Sequence, residues 1–320
     1  MQTIVARQSG GPEVLELAEL DRPMPGPGQL LIKVAATGVN FIETYQRGGM
    51  YKVAHPFTPG SEGAGVIEAM GEGVEGFSIG SRIATAEGLA CYAEYAVVDA
   101  AQTLPVPDGL DLLTAAALPL QGMTAHYLIN SSFKVEPGHT VLVHAGAGGV
   151  GLLITQLLKA RGARVITTVS TDAKEALSRG AGADAVLRYD GFADAVRDLT
   201  DGTGVQVVYD GVGKDTFDGS LASLRTRGFL VLFGAASGAV PPVNPQRLNA
   251  GGSLSLTRPK LADFLANPQE RMWRSSEVFG AAADGSLKVR IGATYPLAEA
   301  KRAHEDLEGR RTTGKVLLVP

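Results

Sequence analysis

A single cysteine, Cys91, stands in a chain of 320 residues. One thiol excludes an intramolecular disulfide and every zinc site built from several cysteines. Excess positive charge is missing too: 29 Lys and Arg against 33 Asp and Glu give a net charge of -4. Nucleic acid is therefore not expected as a partner, since gripping a phosphate backbone needs a basic face. No apolar run reaches the ~20 residues of a membrane helix. Residues 1–10 lack a signal peptide's charged start and apolar middle, so a cytoplasmic location without membrane contact is expected. The five histidines (His55, His126, His139, His144, His304) are scattered without H-E-x-x-H spacing and read as structural or exposed. The remaining composition is ordinary: 45% hydrophobic and 19% charged residues exclude wholesale disorder. The length suits about two domains of ~100 to 200 residues each.

The most informative stretch runs from Gly138 to Lys159, GHTVLVHAGAGGVGLLITQLLK. Residues 140–145 are apolar and β-branched like a buried parallel strand, while Val150, Leu153, Ile154, Leu157 and Leu158 are spaced like one face of a helix. Between them Gly146, Gly148 and Gly151 fill G-x-G-x-x-G, a turn that lets backbone approach a pyrophosphate and seats the helix close on the strand. The positive helix end and its N–H groups then face the phosphates. A glycine-rich loop of some other α/β fold would share the bare fingerprint.

Short apolar runs separated by Gly and Pro clusters fill the first third, at 3–6, 14–17, 30–35, 60–68, 82–85 and 92–98, and suggest a small β-barrel. Helical spacing follows at 112–118 and 123–130, with a boundary near Gly122. Strands (140–145, 164–169, 185–187, 205–210, 229–233, 253–256) then alternate with helices (from 149, 172–179, 192–199, 215–224), the pattern of a six-stranded doubly wound parallel sheet. After Pro259 helices at 261–265, 272–284 and 297–308 and a strand at 315–319 break that alternation, so the tail is expected to return to the first domain.

Gly138, Leu142, the Gly146–Gly151 run, Gln156 and Lys159 together resemble the signature of the quinone oxidoreductase and ζ-crystallin group of the medium-chain dehydrogenases/reductases. The likeness runs nearly end to end, through GGPEVLEL (10–17), GVNFIETY (38–45), PGSEGAGVIEAMGEGV (59–74), YDGVGKDTF (209–217), SGAVPPVN (237–244), Thr257-Arg258-Pro259 and the closing GKVLLVP. It implies an α/β chain with a Rossmann doubly wound parallel sheet (123–261) and a GroES-like β-barrel catalytic domain (1–122 and 262–320), in a homodimer. It also implies an NADPH-dependent quinone reductase. Reduction of an activated carbon–carbon double bond, or NADPH binding without turnover, remain alternatives.

Zinc enzymes of the same superfamily carry a ligating Cys where this chain has Asn40 and a His where it has Ser61, before Glu62. No metal is therefore expected, and the acceptor must already be electrophilic, as a quinone or an enone is. The resemblance places Asn40 and Tyr45 in the cleft beside the nicotinamide, in binding and catalytic roles; a turn-forming Asn and a half-buried Tyr are the plainer alternatives. For the cofactor, charge is informative. The second strand ends Thr168, Val169, Ser170, without the carboxylate that binds an NAD ribose. Lys174 and Tyr189 resemble the pair that grips the 2′-phosphate of NADPH, and Asp172 is discordant with them. With the glycine turn, the resemblance implies a cofactor-binding set of Asn40, Tyr45, Thr124, Gly146, Ala147, Gly148, Gly149, Val150, Gly151, Ser170, Lys174, Tyr189, Val212, Phe233, Ser237 and Arg310.

Overall fold

The computed structural model describes residues 1–320 and divides into two compact units, Met1–Met123 with Leu265–Pro320, and Thr124–Phe264. In the first unit β1 (Gln2–Ala6) and β2 (Leu15–Glu19) form an antiparallel pair. There follow β3 (Gln29–Val39), α1 (Phe41–Arg47), β4 (Gly63–Met70), β5 (Arg82–Thr85), β6 (Tyr95–Asp99), β7 (Leu104–Pro105), α2 (Leu112–Ala117) and α3 (Pro119–Tyr127), whose last turn lies in the second unit.

The second unit alternates as its hydrophobic pattern demands. β8 (Thr140–Val143), β9 (Arg164–Thr168), β10 (Ala185–Leu187), β11 (Val205–Asp210), β12 (Leu224–Leu232) and β13 (Ser255–Thr257) are joined through α4 (Gly149–Ala160), α5 (Asp172–Gly180), α6 (Phe192–Leu199), α7 (Phe217–Ala222) and α8 (Gln246–Ala250). Every pairing is parallel and the spatial order is β10-β9-β8-β11-β12-β13. Counted within the unit this is 3-2-1-4-5-6, so strand order reverses between β8 and β11. Leu142, Ile166, Val208 and Leu230 meet in its core, each worth roughly 1.5–3 kcal/mol of burial.

Returning to the first unit, the chain forms α9 (Pro268–Ala283), β14 (Ile291–Pro296), α10 (Ala300–Glu308) and β15 (Lys315–Val319). The sheet runs β14-β15-β3-β4-β5-β7. β3 is long enough to serve three partners: β4 takes one edge, while the other is shared by β6, against residues 29–33, and β15, against residues 37–39. Leu30, Ile32, Ile67 and Ile83 form one apolar cluster, and Ile4, Val39, Tyr92 and Leu318 belong to another.

Several elements depart from the sequence reading. The helix expected at 215–224 is confined to 217–222, because β12 begins at Leu224, earlier than expected. The segment 261–265 is a single 3-10 turn. α9 starts at Pro268, where Asn267 Oδ1 accepts from Gln269 N at 2.8 Å and Glu270 N at 3.1 Å, an N-cap followed by proline.

Candidate active site

The turn between β8 and α4 is held by backbone. Gly146 N–H donates to Thr168 O at 2.9 Å, Gly148 N–H donates to Ala145 O at 2.8 Å, and Ala145 takes a left-handed φ of 54°. α4 begins without a side-chain cap on its first N–H groups, the arrangement that receives an anion at a helix start. A Cβ on Gly151 would stand 2.1 Å from Ala145 O, and one on Gly146 would stand 2.6 Å from the Thr167 side chain. Only glycine lets helix and strand approach this closely. Ala147 is buried, and Gly149 and Val150 open the helix half-exposed. These residues fit a pyrophosphate.

Beneath the turn lies a buried polar chain that the sequence reading missed. Ser220 donates its hydroxyl proton to Asp210 Oδ2 at 2.8 Å, so its oxygen accepts from His144 Nε2–H at 2.9 Å. His144 Nδ1 must then accept from the Thr168 hydroxyl at 2.8 Å. Burial pushes the His144 pKa down and keeps the ring neutral, against the pull of Asp210. The imidazole lies against Tyr189, 6.2 Å between centroids at 21°, and meets Phe192 edge-on at 4.8 Å. Thr168, His144 and Asp210 thus tie together the carboxyl ends of β9, β8 and β11.

β9 and β10 run side by side, with Leu187 opposite Thr168. Ser170, exposed, follows β9; Lys174 lies in the first turn of α5, which Thr171 caps; Tyr189 follows β10. Asp172 pairs with Arg188, Nη2 to Oδ1 2.5 Å, a contact the sequence did not announce. Past β11, the N–H groups of Val212 and Gly213 donate to Asp210 Oδ1 at 2.8 and 2.9 Å. Phe233, after β12, lays its ring where a Cβ on Gly211 would be 2.8 Å from Cζ. Ser237 donates to Val212 O at 2.8 Å and accepts from Asp215 N at 3.0 Å, so its hydroxyl shapes this loop. Thr124 is buried on α3 at the start of this unit. The carboxyl side of the parallel sheet therefore gathers the glycine turn, Ser170, Lys174, Tyr189, Val212, Phe233 and Ser237.

Asn40, Tyr45 and Arg310 belong to the first unit. Arg310 is exposed just after α10, with φ 56°. Asn40 precedes α1, where Glu43 Oε2 accepts the Asn40 N–H at 2.8 Å. Asn40 Nδ2 donates to Glu62 Oε2 at 2.8 Å, and Oδ1 accepts from Lys315 Nζ at 2.7 Å and Gln121 Nε2 at 3.3 Å. Lys315 also forms a short ion pair with Glu62, whose other oxygen accepts Leu120 N–H at 2.7 Å. Glu43, Glu62 and Lys315 are all buried. Burial raises the Glu43 pKa to about 7, although N–H bonds from Ser61 and Asn40 and the charge of Lys315 pull it down. Gly38 makes room for the pair, since a Cβ there would lie 2.1 Å from Glu62 Oε2.

The far end of α1 is pinned equally. Arg47 donates to Gly10 O at 3.1 Å, to His304 Nδ1 at 2.8 Å and to Glu308 at 2.7 Å. A guanidinium only donates, so the His304 proton sits on Nε2 and points to Tyr92 Oη at 3.1 Å. Tyr45 lies between these anchors, half-buried, its ring edge-on to Tyr51 at 5.7 Å and 6.1 Å from Phe41.

A catalytic zinc does not fit these residues. Such an ion takes about three protein ligands of His, Cys or carboxylate type, and nowhere do three such side chains converge. Glu62, the carboxylate nearest Asn40, is already held by Lys315, Asn40 and Leu120 N–H. No helix is long and apolar enough to cross a membrane.

Residues 26–108 match the alcohol dehydrogenase GroES-like domain, and residues 149–265 match the zinc-binding dehydrogenase domain. A quinone oxidoreductase of Pseudomonas aeruginosa is 43% identical over 97% of both chains. A 2-haloacrylate reductase of a Burkholderia species is 39% identical over 99% of this chain and 98% of its own. A mycobacterial protein solved in complex with NADPH superposes with a TM-score of 0.98, at 53% identity over the whole of both chains.

Proposed function

The chain belongs to the quinone oxidoreductase family of the medium-chain dehydrogenases/reductases, and from that premise we propose that it is an NADPH-dependent quinone reductase working without a metal. The observation that carries this reading is the glycine turn leading into the α4 start, continued by Lys174 and Tyr189 beyond the ends of β9 and β10. Residues 123–261 would take the dinucleotide, and residues 1–122 with 262–320 the acceptor. NADPH, when bound, supplies a hydride. The first-turn N–H groups of α4 would hold the pyrophosphate, and Lys174 and Tyr189 would hold the 2′-phosphate. Val212, Phe233 and Ser237 would serve the nicotinamide half, with Thr124 and Arg310 as further contacts. A quinone reduced in this way gains negative charge on oxygen, which the Tyr45 hydroxyl would stabilise by donating a hydrogen bond. Asn40 has its amide engaged by Glu62, Lys315 and Gln121, so it positions α1 rather than moving protons.

The kinship with a 2-haloacrylate reductase favours a second reading, reduction of an activated carbon–carbon double bond. Purified protein is given NADPH with a panel of simple quinones and, in parallel, a panel of enones, and loss of reduced nicotinamide absorbance is followed. Quinone-dependent oxidation supports the first reading, and oxidation with enones alone supports the second. NADPH binding with no consumption across both panels overturns both. The proposed homodimer is checked by light scattering on the same sample.

A further inference from the structure

We infer that Arg188 makes the second unit selective for a 2′-phosphorylated dinucleotide by tying up the acidic residues at the start of α5. This rests on the NADPH reading above. The first turn of α5 holds Asp172 and Glu175, where a helix start favours acids, together with Lys174. Four residues beyond Thr168, Asp172 is near where an NAD-binding chain places the carboxylate that accepts from the ribose 2′-hydroxyl. Left alone, it would serve that hydroxyl and repel a phosphate dianion.

Arg188 prevents both. Its guanidinium lies 2.5 Å from Asp172 Oδ1 and 2.9 Å from Glu175 Oε2, while Arg179 lies 2.7 Å from Glu175 Oε1. The register explains the reach: Leu187 faces Thr168 across β10 and β9, so Arg188 leaves its strand beside the segment that leads into α5. Arg188 thus joins Lys174 and Arg179 as a third cation beside the two first-turn carboxylates, Asp172 and Glu175. The Arg188–Asp172 pair is exposed and adds little to stability. Its effect is on what charge the strand ends accept. Arg188 is thus a positioning residue acting through Asp172.

The test measures NADPH and NADH dissociation constants by nicotinamide fluorescence on the full chain, for Arg188→Ala, Asp172→Asn, the double variant, Arg188→Lys and Lys174→Ala. Arg188→Ala should weaken NADPH about tenfold while leaving NADH unchanged or tighter. Most of the loss should vanish in the Asp172→Asn background, and Arg188→Lys should retain most of the preference. An unchanged NADPH to NADH ratio in Arg188→Ala overturns the inference. So does an equal loss with and without Asp172, which would mean that Arg188 touches the phosphate itself or only supports the fold. Lys174→Ala separates the two levels: if it leaves the ratio unchanged, the 2′-phosphate reading itself fails and the inference with it.

Discussion

Lys315, on the last strand, donates from Nζ to Asn40 Oδ1 at 2.7 Å, joining residues 275 positions apart. The same ammonium neutralises Glu62, so one cation supports both the amide before α1 and the carboxylate that receives that amide. Taking charges out of water costs several kcal/mol per ion, and removing one partner leaves the other uncompensated. Lys315→Met should therefore destabilise the protein by about 3–5 kcal/mol in chemical denaturation. Adding Glu62→Gln should restore a large part. If the double variant is no more stable than the single, the pair is not the reason.

Glu43 gives this network a pH dependence. Its folded pKa, raised to about 7, exceeds the ordinary 4.5, so its neutral form is the one that the fold favours. Its stabilising contribution is full below about pH 4.5 and is lost as pH rises through 7. Relative to Glu43→Gln, the native protein should lose stability between pH 5 and pH 8. Denaturation midpoints across that range that run parallel for the two proteins would contradict this.

His304 works in the opposite direction. Burial, helped by the Arg47 charge, lowers its pKa to about 3. A neutral ring is required in the fold, so its contribution is present above pH 6.5 and fades as pH falls toward 3. Because Arg47 holds the end of α1, acid should loosen that helix early. Protection factors of the α1 amides, with intrinsic exchange rates divided out, should fall more from pH 7 to pH 4 than those of β11.

The second unit was legible in sequence because its signals are local. The G-x-G-x-x-G turn, the β-branched β8 and the apolar face of α4 lie within 22 consecutive residues, and the expected strands at 185–187 and 205–210 coincide with β10 and β11. α1 escaped notice since seven residues are too few for an apolar stripe, although Asn40 and Glu43 at N-x-x-E spacing were a capping signal. β14 was hidden because an edge strand alternating half-buried and exposed residues needs no apolar run. The Asn40, Glu62 and Lys315 contacts, separated by 22 and 253 positions along the chain, have no local signature; only the fold brings them together.

The glycines of the turn should separate fold from binding. In Gly151→Ala the new Cβ would press on Ala145 O at 2.1 Å, backbone that cannot swing aside. Overpacking of this kind costs typically about 1–3 kcal/mol. In Gly148→Ala the nearest atom is 3.2 Å away and φ is an ordinary -76°, so the fold should survive while the methyl crowds the phosphate approach. Melting curves with and without NADPH should show a lowered baseline for the first variant and a diminished ligand-induced rise for the second. Equal behaviour of the two would mean the turn does not cradle the pyrophosphate.

Tyr45 offers the sharpest test of the proposed chemistry, because its ring and its hydroxyl can be removed separately. The ring packs edge-on to Tyr51, and Phe41 lies a turn away on α1, so Tyr45→Phe keeps the packing and deletes only the hydroxyl. A donor aimed at charge that appears only during hydride arrival stabilises the transition state and leaves ground-state binding alone. Tyr45→Phe should then lower kcat and kcat/KM together, by about tenfold to a hundredfold given the half-exposed position, with NADPH affinity unchanged within about twofold. Tyr45→Ala should lose more and raise KM as well, since the ring itself is gone. A kcat untouched in Tyr45→Phe would leave the aromatic ring as the functional part and move charge stabilisation to some other donor.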